Sequence, residues 1–138
     1  MSDLDMLKTA VNESSELSKN GQHQEALRLL NEAIADAKHE NRIRSVRILS
    51  QHAAVIAEAT GDLNLVRHYC EEMISTSPGN AMALYALADI LYRQGSADLA
   101  RQQAMRSYSL VEHTETAEAK SLRELIAKTW PEIPGTRR

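Results

Sequence analysis

The amino-acid sequence predicts an all-α fold, a solenoid of three antiparallel helix pairs followed by a seventh helix. The main support is a repeat, because the turns at Gly61-Asp62 and Gly95-Ser96 stand 34 residues apart (61 to 95) and each begins an apolar segment. A period of this length is typical of solenoids, in which each unit buries its apolar face against its neighbours. Composition agrees, since 43% hydrophobic residues with no Phe and one Trp favour closely packed helices over a sheet.

The size and charge of the chain limit the classes of protein to which it can belong. At 138 residues the chain is long enough for one domain with a real core, which we place at residues 1–130. The net charge is −3, with 16 basic and 19 acidic residues interspersed, which argues against a nucleic-acid partner. Cys70 stands alone, so neither an internal disulfide nor a cysteine metal site is expected. No apolar run approaches the ~18 residues of a membrane helix, and residues 1–7 do not resemble a signal peptide, so we expect a cytoplasmic protein without membrane contact.

Turn residues divide the first half of the chain into four helices. Gly21 and Gly61 end the first and third helices, because glycine readily adopts the left-handed conformation that closes a helix. Asn41 is predicted to cap the third helix, and Asp62 to accept hydrogen bonds from the first amides of the fourth. These helices span about 4–19, 23–39, 42–60 and 63–75.

The second half is divided in the same way. Pro78 disfavours a helical residue before it and so ends the fourth helix. Asn80 and Ser96 are predicted to cap the fifth and sixth helices, and Trp130-Pro131 ends the seventh. These helices span about 81–94, 97–112 and 115–129.

The seventh helix carries an apolar stripe of Leu122, Leu125 and Ile126, with which it can cover the exposed end of a solenoid. Packing of this helix on another chain is the alternative. Residues 131–138 offer no core and are predicted to form a flexible C-terminal tail.

Aligned on their glycines, the helix pairs resemble tetratricopeptide repeats, whose unit of about 34 residues has recurring small and large apolar positions. The third pair carries the pattern best, the second keeps it up to a closing Pro78, and the first departs from it at Glu13 and Ser14. Gly21 and Gly61 stand 40 residues apart (21 to 61), so the first repeat is the longer one. The repeats span about 4–40, 42–78 and 80–112; the matching residues are Leu17, Ala26, Leu30 and Ala33, then Ala53, Ala54, Ala57, Val66 and Cys70, then Leu84, Leu87, Ala88, Leu91, Ala100 and Ala104.

The resemblance implies a right-handed α-solenoid in which the first helix of each pair lines a concave groove for a partner and the seventh helix caps the end. Within that groove Tyr85, Asp89 and Tyr92 stand at i, i+4 and i+7 and share one helical face. Tyrosine offers a large contact area with a polar end, although two tyrosines packing between repeats are the alternative. The implied groove residues are Asn12, Ser15 and Lys19, then Gln51, His52, Val55 and Glu58, then Tyr85, Asp89, Tyr92 and Arg93.

Some members of this family bind an acidic C-terminal peptide through a clamp of Lys, Asn and Arg. The matching positions of this chain carry none of the clamp side chains, so the resemblance does not imply that specificity. These positions are Val11, Ser15, His52, Met82 and Ala86.

A basic cluster of Arg42, Arg44 and Arg47 lies at the long connection between the first two repeats. It can engage an acidic segment of a partner. Alternatively, it is a solvated helix start that Glu40 partly neutralises. Positive charge at a helix N-terminus is mildly unfavourable, which keeps the functional interpretation open.

The pattern of chemical groups does not favour catalysis. Five histidines are present, but none pairs with another at i, i+4, and there is neither a glycine-rich phosphate loop nor a serine nucleophile motif. We therefore predict a non-catalytic adaptor or chaperone-like scaffold that binds a peptide or helix of a partner protein and has no cofactor or metal. The alternatives are a self-assembling module, such as a homodimer, and a regulatory or inhibitory subunit of an enzyme.

Overall fold

The computed structural model describes residues 2–136 and confirms the all-α prediction. No strand occurs in that range, and eight helices follow one another through short connections. The predicted bounds of the first seven agree with the observed ones to about two residues, the usual margin of such assignments. The helices are α1 (Asp3–Lys19), α2 (His23–His39), α3 (Ile43–Thr60), α4 (Leu63–Thr76), α5 (Ala81–Arg93), α6 (Ala97–Val111), α7 (Ala117–Thr129) and α8 (Glu132–Thr136).

The chain divides into two compact units, Met1–Ser77 (unit 1) and Pro78–Arg138 (unit 2). The boundary falls at the proline that the sequence predicts to close the second repeat. Unit 1 thus holds the first two predicted repeats, and unit 2 holds the third together with the seventh helix. The assignment of residues 1–130 to a single domain stays a prediction.

Unit 1 consists of two helix pairs, α1 with α2 and α3 with α4, and α3 packs against both helices of the first pair. Small side chains allow this arrangement, because the distance between helix axes follows side-chain size at the contact. Ala26 of α2 and Ala53 and Ala57 of α3 are fully buried. Ser14 is buried too, at a position where the resemblance expects Gly, and its hydroxyl donates to the Val11 carbonyl oxygen at 3.0 Å. Larger core side chains of unit 1 are Leu27, Leu30, Ile34, Val46, Leu49, Ile56, Val66, Tyr69, Cys70 and Met73.

The connection between α2 and α3 corrects one prediction. Asn41 is not the N-cap of α3; it lies in the left-handed region at φ 57°, and Arg42 occupies the N-cap position. The Arg42 amide donates to the Ala37 carbonyl oxygen at 2.8 Å, the bond that closes a helix after a left-handed residue. Gly21, at φ 80°, ends α1 in the same way. Asparagine tolerates this conformation, so Asn41 closes α2 where the other repeat boundary has a proline.

The predicted caps of α4 and α5 are confirmed. The side chains of Asp62 and Asn80 accept hydrogen bonds from backbone amides three residues further on, at 3.2 and 3.1 Å. Ser96 occupies the N-cap position of α6, but its side chain makes no capping hydrogen bond. α7 begins at Ala117 rather than at residue 115, because Thr116 caps it with a side-chain hydrogen bond.

In unit 2, α5 and α6 form the helix pair, and α7 packs against both. The small residues predicted to line α6 are all fully buried, namely Ala100, Ala104 and Ser107. The Ser107 hydroxyl donates to the Ala81 carbonyl oxygen of α5 at 2.7 Å, so the polar member of this stripe is hydrogen-bonded. The Ser107 hydroxyl therefore keeps a hydrogen-bond partner although the two helices are in close contact. Larger core side chains of unit 2 are Leu84, Leu87, Ile90, Leu91, Leu122 and Ile126.

α7 covers the α5–α6 pair of its own chain. Leu122 and Ile126 are buried, whereas Leu125 is 42% exposed. Successive residues of an α-helix point about 100° apart, so Leu125 and Ile126 cannot both face the pair squarely. Arg123 strengthens the attachment by donating to two carbonyl oxygens, one at the end of α6 and one just after it, both at 2.6 Å.

The end of the described chain differs from the coreless tail that the sequence predicts. Residues 132–136 form α8, which packs on α7, and Ile133 is fully buried. Trp130 is also buried, and its carbonyl oxygen accepts a hydrogen bond from the Ile133 amide at 3.1 Å. Burial of these two large apolar side chains offsets the entropy lost when so short a segment is ordered. The predicted tail residues 137 and 138 lie outside the described residues.

We expect the closure of α2 to respond to substitution at Asn41. An alanine Cβ in the left-handed region lies too close to the following carbonyl oxygen, so Asn41→Ala should lower the free energy of unfolding by about 1 kcal/mol. Asn41→Gly should leave it equal or higher. Denaturant unfolding followed by far-ultraviolet circular dichroism measures both variants, and an equal effect of Ala and Gly would contradict the left-handed closure.

We expect alanine substitutions at two neighbouring positions of α7 to lower the free energy of unfolding by very different amounts. Ile126→Ala removes a fully buried side chain and should lower the free energy of unfolding by about 2–5 kcal/mol. Leu125→Ala, the matched control, should cost less than about 1 kcal/mol because its side chain is partly exposed. Denaturant unfolding tests the pair, and similar losses in both would mean that α7 does not dock through Ile126.

Candidate functional site

Two neighbouring helices of unit 1 present the first set of predicted groove residues. α1 and α3 contact each other and run in the same direction, because Asp3 lies beside Arg42 at one end and Ser15 lies beside His52 further along. The Asp3 Oδ1 and Arg42 Nε atoms are 3.8 Å apart, and the Ser15 Oγ and His52 Nε2 atoms are 3.1 Å apart. We call the following set the unit 1 face: Asn12, Ser15 and Lys19 of α1, with Gln51, His52, Val55 and Glu58 of α3.

Helical spacing keeps most of these side chains out of the core of unit 1. Gln51, Val55 and Glu58 stand at i, i+4 and i+7 on α3, so they share one stripe, and all three are exposed. Val55 is 66% exposed, an apolar side chain on an otherwise polar stripe. Asn12 and Lys19 are likewise exposed, and Ser15 and His52 are half-buried.

The contact between Ser15 and His52 joins α1 to α3. Burial lowers the pKa of His52 below its ordinary value of 6.5, because the imidazolium form loses contact with water. Ser18 Oγ and His23 Nδ1 make a similar contact at 2.9 Å between α1 and α2. A serine beside a histidine needs a third group to orient the ring before the pair can act as nucleophile and base. Among residues 2–136 the other nitrogen of neither ring is hydrogen-bonded, and the two contacts join α1 to α3 and α1 to α2.

α5 presents the second set, which we call the unit 2 face: Tyr85, Asp89, Tyr92 and Arg93, with Met82 one turn earlier. Tyr92 and Met82 are more than half exposed, and Tyr85 and Asp89 are half-buried. Asp89 Oδ2 lies 3.2 Å from Arg93 Nη2, so these two charges compensate each other. Burial, and then the negative charge of Asp89, raise the pKa of Tyr85. Its hydroxyl, like that of any tyrosine at neutral pH, is protonated and can both donate and accept.

Tyr92 is held in place by a residue that the sequence did not assign to this face. Its ring packs edge-on against Trp130, with ring centroids 5.8 Å apart and an interplanar angle of 82°. Trp130 is buried, whereas Tyr92 stays 52% exposed. The sequence marks Trp130 only as the end of the seventh helix. A single Trp directly after an apolar helical stripe was the signal that could have shown its role.

The structure separates the members of the basic cluster. The side chain of Arg42 is only 13% exposed, and its Nε lies 3.0 Å from Glu40 Oε2, although the N–H is not aligned for a hydrogen bond. This agrees with the interpretation that Glu40 partly neutralises the cluster. Arg44 is exposed and Arg47 is half-buried, and neither joins an ion pair among the described residues. Arg44 is therefore the member that faces solvent.

A concave feature of unit 1 lies between α2 and α4, and no sequence signal points to it. It is an open depression of about 480 Å³. The Tyr69 hydroxyl donates to Asn31 Oδ1 at 2.6 Å there, and Lys38 and Glu72 form an ion pair between the same two helices. Burial raises the pKa of Tyr69, and the bond to Asn31 opposes part of that rise. The other lining residues are Gln24, Leu27, Arg28, Glu32, Ala35 and Leu65.

The described part of the chain offers neither a metal site nor a membrane span. It contains no group of three or more His, Cys, Asp or Glu side chains placed to hold a metal ion. It contains no helix that is both long and apolar enough to cross a membrane. Cys70 is buried in the core of unit 1, as the sequence predicts.

Comparison with known proteins supports the fold. Neither a protein-family model nor a curated protein matches the chain. Among solved structures, the chain is similar to the Yersinia enterocolitica type III secretion translocator chaperone SycD, described as an alternative dimer. The two are 15% identical, and their superposition covers 97% of this chain and 96% of that chain with a TM-score of 0.71. The predicted fold class, an all-helical tetratricopeptide-like fold, is confirmed; membership of the repeat family stays a prediction.

We expect His52 to make part of the stability of the protein depend on pH. Because its pKa is lower in the folded than in the unfolded chain, the unfolded chain binds more protons as the pH falls. The contribution of neutral His52 is therefore present above about pH 6.5 and is lost as the pH falls through the folded pKa. His52→Gln should flatten this part of the profile, whereas His39→Gln, at an exposed position on α2, should keep it. Denaturant unfolding at a series of pH values measures this dependence. If His52→Gln kept the wild-type dependence of stability on pH, the lowered pKa would not belong to His52.

Proposed function

We propose that this protein is a non-catalytic adaptor or chaperone-like module that binds a helix or an extended segment of a partner protein. Its fold supports the proposal, since the similar SycD is described as a translocator chaperone and the likeness extends over nearly the whole of both chains. The unit 1 face and the unit 2 face are the surfaces that we assign to binding. Both belong to the first helices of the predicted pairs.

The observation that carries the proposal is the unit 2 face. Met82 and Tyr92 expose more than half of their large side chains on the same side of α5 that Tyr85 and Asp89 occupy. Exposed aromatic and methionine side chains clustered with an arginine, here Arg93, are typical of protein interfaces. Tyr92 is also held by Trp130, so less entropy is lost when a partner packs on it.

We further propose that the chain is not an enzyme. The serine and histidine contacts at Ser15 and Ser18 lie on helix surfaces and lack a group that orients the imidazole ring. A role without cofactor or metal, a cytoplasmic location and the absence of a nucleic-acid or membrane partner stay predictions of the sequence.

Self-assembly is the second candidate function, because the structure of SycD is described as a dimer. The face that would join two copies of this chain is not assigned. Light scattering on the full chain at several concentrations tests this candidate, and a monomer throughout would remove it. No observation favours the third alternative, a regulatory or inhibitory subunit, over an adaptor.

We expect removal of the exposed aromatic area to weaken the capture of partners. The full chain, immobilised and exposed to lysate of its source cells, should retain a defined set of proteins. The double variant Tyr85→Ala/Tyr92→Ala should retain about tenfold less of each, since it removes two aromatic side chains of the kind that dominate binding energies. Mass spectrometry with isotope-labelled standards measures the retained amounts.

The matched control is Leu99→Ala/Leu110→Ala, which removes two exposed apolar side chains from α6, the other helix of the same pair. It should retain partners at the wild-type level. Circular dichroism establishes that both variants are folded. Wild-type retention by the folded tyrosine variant would falsify the assignment of the unit 2 face.

A further inference from the structure

We propose that the C-terminal segment of the chain, residues 130–136, positions Tyr92 for partner binding. Docking of this segment on its own unit and binding of a partner at the unit 2 face are then coupled. This inference rests on the proposed function. It adds to it a positioning residue, Trp130, and an anchor, Ile133, neither of which belongs to the unit 2 face.

Trp130 is fixed by the helix before it and by the helix after it. Its amide donates to the Ile126 carbonyl oxygen of α7 at 2.8 Å, and its carbonyl oxygen accepts from the Ile133 amide of α8 at 3.1 Å. Trp130 as a whole is only 5% exposed. Because both of its backbone groups are held, the position of its ring depends on α8 as well as on α7.

Burial, rather than helical stability of its own, keeps α8 in place. A helix of five residues is unstable by itself, because its first turn fixes several residues for a single hydrogen bond. Ile133 is fully buried, and α8 packs on α7. Pro131 and Pro134 restrict the backbone of the undocked segment, so less entropy is lost when Ile133 docks. Ile133 is therefore the anchor of the segment.

The ring of Trp130 in turn supports one side of Tyr92. The two rings meet edge-on, with centroids 5.8 Å apart and an interplanar angle of 82°, which is a favourable aromatic geometry. Tyr92 nevertheless remains 52% exposed, so the contact leaves much of the side chain available to a partner. Without this contact the Tyr92 side chain gains rotamers, and a partner that binds only one of them loses affinity.

Support from Trp130 is specific to one tyrosine of the unit 2 face. Among residues 2–136, Tyr85 makes no ring contact with another aromatic side chain. Asp89 and Arg93 of the same face are held by the ion pair between them. Release of the C-terminal segment should therefore change the position of Tyr92 and leave the rest of the face as it is.

Coupling follows from the linkage between docking and binding. A partner that packs on Tyr92 in its supported position binds the docked form of the chain more tightly than the undocked form. The partner then stabilises the docked segment by the same factor by which docking raises the affinity of the partner. Ile133 is fully buried and so cannot contact a partner itself. Substitution of Ile133 should therefore weaken binding through Trp130 and Tyr92, not through a lost contact.

The first experiment measures the position of Tyr92 in the full chain without a partner. Fluorinated tyrosine labels all four tyrosines, and Tyr92→Phe identifies the fluorine NMR resonance of Tyr92. Ile133→Ala should move this resonance toward its position in Trp130→Ala, because the indole ring leaves it, and should leave the other tyrosine resonances in place. Acrylamide should quench the fluorescence of Trp130, the one tryptophan of the chain, more strongly in Ile133→Ala than in the wild type. Leu125→Ala, the matched control on α7, should change neither signal.

The second experiment measures binding. The probe is the most abundant protein that the wild-type chain retains from lysate and the Tyr85→Ala/Tyr92→Ala variant loses, purified and labelled for fluorescence anisotropy. Ile133→Ala and Trp130→Ala should each weaken its binding by about three- to tenfold, the range expected from loss of an edge-on aromatic contact. Trp130→Phe, which keeps an aromatic ring, should retain most of the affinity, and Leu125→Ala should bind as the wild type does. Circular dichroism establishes that each variant is folded.

The other outcomes contradict the inference in distinguishable ways. An unchanged Tyr92 resonance in folded Ile133→Ala would mean that the segment does not position this side chain. A moved resonance with wild-type affinity would separate positioning from binding, and the proposed function would stand. An equal loss of affinity in Leu125→Ala would indicate a general effect of lower stability, and tighter binding by Trp130→Ala would mean that the segment competes with the partner. If the double tyrosine variant loses no protein from lysate, the proposed function fails in that separate experiment and this inference fails with it.

Discussion

Close approach of helices over small side chains is the constraint on which the rest of the structure depends. Fully buried Ala26 and Ala57 in unit 1, and Ala100 and Ala104 in unit 2, stand where helices meet. Contacts of this kind fill the interior densely but leave no room for larger groups. The buried Ser107 fits the same space because its hydroxyl finds a backbone carbonyl on the facing helix. Packing thus occupies one side of each helix, and the side chains on the solvent-facing side are the ones available for binding.

Those stripes lie on helices that are held by their neighbours, so their side chains are positioned before any partner arrives. His52 is tied to Ser15, and Tyr92 rests on Trp130. The two faces nevertheless differ in physical character. The unit 1 face combines polar and charged side chains of both signs, among them Lys19 and Glu58, with the exposed aliphatic Val55. The unit 2 face compensates its charges between Asp89 and Arg93 and exposes aromatic area, which favours short-range contact.

The helices could be predicted from the sequence because their causes are local. Apolar spacing sets the buried side of each helix, and turn residues such as Gly61 set the ends. The caps at Asp62 and Asn80 depend on a bond to an amide three residues away, so they need no tertiary information. The error at Asn41 has a different cause. Asparagine suits both an N-cap and a left-handed closure, and the choice depends on how α2 and α3 approach each other.

What the sequence determined by itself was the all-helical class, the ends of the first seven helices to within about two residues, and the burial of residues such as Cys70, all of which follow from spacing along one chain segment. Tertiary structure decided the rest, because it depends on which distant groups meet. Only folding brings Asp3 of α1 to Arg42 while Arg44 stays in water. Only folding packs the C-terminal segment on α7, where burial of Ile133 outweighs the entropy lost when the segment is ordered. The same step brings Trp130 against the ring of Tyr92.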